Sequence, residues 1–174
     1  MTATSLKFTF YLVAVAHKED IHKYGKDLSK SNWFIKKSTP RHTIWKNNKD
    51  ELHLLNGYFG NVLMSSHAVI GVSGTGNEQA AGIGVPIISF PCGSIQYTSK
   101  FGEAQKRLLG KALSYIPDPS PSPDLITKYL EKVLTNVKYR EEVKNTAVER
   151  FGDFGASERI VSRIVQTITP SFTE

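Results

Sequence analysis

Residues 71–90 read GVSGTGNEQAAGIGVPIISF, and here residue types and spacing suit chemistry. Gly74 and Gly76 let a ligand approach the backbone, and Ser73 and Thr75 offer hydroxyls. Glu78, one turn further, could accept two hydrogen bonds from a ribose diol, with Gln79 beside it. A helix starting here would present N–H groups without intrahelical partners and a partial positive charge, which together suit a phosphate. The same residues also read as a plain capped helix, because Thr75 and Glu78 have the Ser/Thr-x-x-Glu spacing of a capping box. Neither G-x-G-x-x-G nor a Walker A ending occurs, so spacing alone reaches an anion site and stops.

Other reactive side chains make weaker patterns. The five histidines, His17, His22, His42, His53 and His67, show no metal-binding spacing and are expected to be structural. His17 closes the first strand, at a sheet edge where ligands bind, and reads as an ordinary strand-end residue. A lone cysteine rules out an internal disulfide; Cys92, after Pro91, is expected to be a small filler rather than a nucleophile. Trp33 and Trp45 are expected to pack rather than to stack on a ligand.

The net charge of +6 suits nucleic acid, an anionic membrane surface or a phosphorylated small molecule. The most basic stretch, Lys36 to Lys49, is expected to be a solvated loop, and no nucleic-acid motif accompanies it. The N-terminal apolar run is far shorter than the ~20 residues of a membrane helix and lacks a basic leader, which predicts a cytoplasmic protein.

The elements that would position these residues alternate. FTFYLVAV (residues 8–15) predicts a buried parallel strand, and EDIHKYGKDLSK a helix ending near Ser29. NWFIKK and HTIW predict strands, and NGYFGNVLMSSH a helix. Strands follow at residues 68–72, 85–90 and in KALSYI, with a helix after Thr75 between the first two. In IQYTSKFGEAQKRLLG, the stripe Tyr97, Phe101, Ala104 and Leu108 predicts an amphipathic helix closed by Gly110. After the Pro-rich loop at 117–123 only helices are expected, one marked by Leu125, Tyr129, Val133 and Val137 and the last by Ile160, Ile164 and Ile168. The whole predicts one α/β domain: a doubly wound, mostly parallel sheet with a C-terminal helical layer.

The segments SGTGNEQAAGIGVP, FGEAQKRLLG and GASERI resemble the carboxy-terminal domain of GT-B glycosyltransferases, nearest to the lipid-A-disaccharide-synthase-related family. The likeness is strong between Ala68 and Gly110. It implies a Rossmann-like, donor-binding half of a glycosyltransferase that takes a UDP-sugar and works without a bound metal or other cofactor. On that likeness Ser73, Gly74, Thr75 and Gly76 face the diphosphate, and Glu78 and Gln79 lie at the ribose. Gln96, opening the helix after PCGS, approaches the sugar or diphosphate, with Glu103 and Gln105 as further candidates and Lys100, Lys106 and Arg107 as possible cations. No catalytic residue is assigned. The family's first strand and its amino-terminal acceptor domain have no counterpart in these 174 residues, which implies a half that is inactive alone. Its partners would be a nucleotide sugar, an amino-terminal half from another chain and possible contact with the inner membrane face. The competing expectation is a non-catalytic interaction module that keeps the fold.

Overall fold

The computed structural model describes residues 10–168. The apolar run after Thr9 forms strand β1 (Phe10–Val15), with Phe8 and Thr9 outside the described residues. Helix α1 (Lys18–Leu28) follows, then β2 (Phe34–Thr39), β3 (His42–Lys46) and β4 (Glu51–Asn56). These strands make one sheet in the order β1-β4-β3-β2, in which only β1 and β4 run parallel. Alternation governs β3, where Thr43 and Trp45 are buried between outward His42, Ile44 and Lys46. Trp45 joins Val15, Ile21 and Leu54 in a small core under α1. The close packing of α1 shows at Gly25, where a Cβ would stand 2.9 Å from the Trp45 ring.

Strand β4 was not expected, and the basic stretch is a hairpin rather than a solvated loop. Its Lys36 to Thr39 lie on β2 and its His42 to Lys46 on β3, and Lys36 reaches across to pair with Glu51 on β4.

Helix α2 (Phe59–Ser65) leads to a second sheet of β5 (Val69–Ile70), β6 (Ile87–Ser89) and β7 (Leu113–Tyr115), all parallel. Helix α3 (Gly74–Gly82) joins β5 to β6; helix α4 (Ser99–Leu109) and a 3-10 turn (Gly110–Ala112) join β6 to β7. Parallel neighbours need such crossovers. Ile87 packs with Ala80, Ala81, Leu109 and Val143, whereas Ile88 packs with Ile116 and Val133. Successive side chains point to opposite faces, so this sheet is covered on both sides.

The helical tail comprises α5 (Pro123–Thr135), α6 (Val137–Phe151) and α7 (Ala156–Ile168). Ser122 caps α5 ahead of Pro123, and Asn136 caps α6 by accepting from the Tyr139 N–H at 2.9 Å. Leu125, Tyr129 and Val133 pack inward as expected, but Val137 begins α6 and is exposed. In α7 no residue is buried, and its stripe Ile160, Ile164 and Ile168 faces solvent.

The α/β class holds, while the expected single sheet is two sheets, the first of them mixed. The cause is local. Among the described residues β1 pairs with β4 and β5 with β6, and no ladder joins the two sheets. No helix among those residues is long and apolar enough to cross a membrane.

Candidate functional site

The glycine-rich stretch is the first turn of α3, which begins at Gly74 just past the carboxyl end of β5. Its cap is Ser73, whose Oγ accepts from the Gly76 N–H at 3.2 Å. The Thr75–Glu78 capping box is therefore corrected: Thr75 is an exposed first-turn residue, and Glu78 is not a cap partner. Its half-buried carboxylate makes no hydrogen bond or ion pair among the described residues. Gln79 is exposed.

Helix α4 starts beside this turn. Thr98 caps it by accepting from the Phe101 N–H at 3.2 Å, and the Phe101 ring lies 3.3 Å from where a Gly74 Cβ would stand. Two helix N-termini thus converge at the carboxyl edge of the parallel sheet, the edge where open α/β sheets bind ligands. Gln96 does not open α4; it is exposed in the preceding loop, with its N–H donating to Ser94 Oγ. Glu103 is exposed on α4.

The expected apolar stripe of α4 is also corrected. Phe101, Ala104 and Leu108 are exposed, and the buried face is Gly102, Gln105 and Leu109. It is polar because it carries one end of a buried network. Asn77 Nδ2 donates to Gln105 Oε1 at 2.8 Å and to the Gly71 carbonyl at 3.2 Å. The Tyr97 hydroxyl donates to the same Gln105 oxygen at 2.9 Å and accepts from Ser89 Oγ at 2.6 Å. Gln105 Nε2 then donates to the Ser73 and Gly74 carbonyls at 3.3 and 3.0 Å. Burial pushes the Tyr97 phenol above its ordinary range, so it stays a neutral donor. These residues fix the start of α3 against α4 and β6. A Cβ on Gly71 would overlap Asn77 Oδ1, so that position must stay bare.

Gln105 is therefore a positioning residue rather than a ligand contact, and sequence reasoning missed Asn77 and Ser89 altogether. The available signal was an amide on the Gly102 and Leu109 face of a helix. Of the candidate cations, Lys100 and Arg107 are exposed. Lys106 donates to the carbonyls of Gly110 and Leu113 at the end of α4, and burial lowers its pKa. Leu113 opens β7, so Lys106 sits at the amino edge of the sheet, opposite the α3 start.

Elsewhere, Trp45 is buried, His17 is exposed, and Cys92 is exposed rather than a packed filler. The mixed sheet brings together two histidines that sequence left scattered: His42 Nε2 lies 3.1 Å from His53 Nδ1. Their neighbour Glu51 is held by Lys36, and no metal-binding group of side chains occurs among the described residues. A groove of about 780 Å³ between β1 and β5 reaches Ser73, Gly76 and Asn77.

Comparison of the chain with protein-family models, with curated proteins and with solved structures finds no match.

Proposed function

We propose that the chain is the donor half of a glycosyltransferase, holding a UDP-linked sugar at the start of α3 and needing a second half for turnover. One observation carries this reading: the first turns of α3 and α4 meet at the carboxyl edge of β5 and β6, with Phe101 against Gly74. A diphosphate fits there because the amides of Gly74 and Thr75 lie in the α3 first turn, where helical N–H groups lack partners. Thr75 adds a hydroxyl, and the unengaged Glu78 carboxylate is suited to two ribose hydroxyls. Gln79, Gln96 and Glu103 are exposed near these turns in sequence and take peripheral roles. As the diphosphate leaves, both helix N-termini act on its growing charge without reorganising, which is preorganised electrostatics. On this reading no acceptor site or general base is assigned among the described residues.

Calorimetric titration of the 174-residue chain with UDP tests this. Micromolar to millimolar binding that Glu78→Ala abolishes is expected. Absence of binding by a chain with intact circular dichroism overturns it.

The second reading is a non-catalytic interaction module, favoured by α7, whose Ile160, Ile164 and Ile168 are all at least half exposed. It predicts self-association or partner association without nucleotide affinity, read by sedimentation.

A further inference from the structure

Two turns meet at the end of the mixed sheet that lies away from α3. Residues 31–33 lead from α1 into β2, and residues 47–50 join β3 to β4. They sit side by side because Phe34, opening β2, pairs with Lys46, which in turn pairs with Glu51, opening β4. Between them lies a cavity of about 680 Å³, within the about 300–1,000 Å³ usual for small-molecule sites. Strand β4 separates it from the candidate donor site. Its six residues, at about 3.3 Å each, put roughly 20 Å between this end and the end that leads to α2.

The lining combines aromatic rings with polar groups that have no protein partner. Trp33 lines the cavity and also packs against the Trp45 core, which holds its ring in place. Phe34 beside it is 56% exposed. The first turn is tied by the Ser31 N–H, which donates to the Leu28 carbonyl at 2.9 Å. The second is tied by Asn47, whose Oδ1 accepts from the N–H groups of Lys49 and Asp50, each at 2.8 Å. The side-chain amides of Asn32 and Asn48 and the Asp50 carboxylate make no hydrogen bond or ion pair among the described residues.

An amide both donates and accepts, and a carboxylate can accept from two neighbouring hydroxyls. An exposed ring adds an apolar face. A pyranose matches both, with hydroxyls around its rim and C–H groups on its face. Charge narrows the class further. Lys49 and Asp50 cancel, and the Asp50 carboxylate disfavours a phosphate beside it. We propose that this cavity binds a neutral saccharide, with Trp33 and Phe34 against a sugar ring and Asn32, Asn48 and Asp50 at its hydroxyls. Both turns are tied by bonds already made, so binding has little left to order. The site is independent of the nucleotide reading.

Nuclear magnetic resonance of the isotope-labelled 174-residue chain tests it, with maltotriose, cellotriose and tri-N-acetylchitotriose as probes. At least one should give saturable shifts, with a millimolar Kd, at the Trp33 indole N–H and the Asn32 and Asn48 side-chain amides. Phe34→Ala removes a stacking face and should weaken that binding about tenfold. Asn48→Ala removes one hydrogen-bonding amide and should weaken it about fivefold. Both side chains are exposed, so each variant should keep the dispersed spectrum of the folded chain. Four results overturn the proposal: no saturable shift with any of the three saccharides; equal shifts with erythritol, which has hydroxyls but no ring face; equal or tighter binding of adenosine, which offers a flat base instead; or affinity unchanged by either substitution.

Discussion

The two sheets reverse the usual relation between strand length and burial. In the mixed sheet the strands are five or six residues long, yet β2 is exposed throughout. In the parallel sheet they are two or three residues long, yet β6 is wholly buried. The difference is in the helices. The short strands are sandwiched between helical layers, whereas the mixed sheet packs its core beneath α1. A buried polar network is tolerable only in the first setting, where each side chain finds partners. The parallel half thus carries the candidate site on a sheet buried on both faces, whereas the mixed half has one small core under α1.

Substitutions that empty the parallel core should break this contrast most strongly. Leu113→Ala should cost about 2–5 kcal/mol in urea unfolding, whereas Ile35→Ala on exposed β2 should stay within about 0.5 kcal/mol. Comparable losses would erase the distinction between the halves.

Gln105→Leu is the next largest. It keeps the bulk of the side chain but strands the Tyr97 hydroxyl and one donor of Asn77, for about 2–3 kcal/mol. It should also loosen the start of α3, seen as faster amide exchange there. A variant as stable as the parent would mean that water or a neighbour takes over the network. Ser73→Ala removes only the cap on Gly76 and should cost about 1 kcal/mol, whereas Thr75→Ala should be nearly neutral. Reversal of that order would return the cap to Thr75.

How far this was legible in sequence depends on what each residue packs against. The apolar run of β1 and the helix α1 follow from local composition, as do the two isoleucines of β6. β4 escaped because ELHLLN is rich in leucine, which shows little strand preference, and its alternation matters only once Trp45 lies beside it. The face of α4 was misread for a related reason. Apolarity selects Phe101 and Leu108, but Gln105 is drawn inward by the amide of Asn77, 28 residues earlier in the chain. Ser73 and Thr75 are chemically equivalent caps on paper; the helix start at Gly74 decides between them. The division into two sheets has no local signature, because it depends on which strands share a ladder.

The smallest expected effect separates the halves by pH. Burial, then the charges of His53 and Lys37, lower the His42 pKa from 6.5. Between the folded value and 6.5 the unfolded chain binds more protons, so stability is lost as pH falls through that window. Glu51 acts in the same direction at lower pH. The hydrogen bond from Lys36 holds its carboxyl below 4.5, and that contribution goes as pH drops through its folded value. The parallel half responds at the other end of the scale. Burial raises the phenols of Tyr97 and Tyr139 above 10.0, so their contribution is full below that value and lost as pH rises past it. Both tryptophans, Trp33 and Trp45, belong to the mixed half, and their fluorescence reports it selectively. The urea midpoint by tryptophan emission should fall between pH 7 and pH 5, and His42→Gln should flatten that fall while keeping the steeper loss below 4.5. A midpoint indifferent to pH in the parent would show that the histidine pair does not hold β3 to β4.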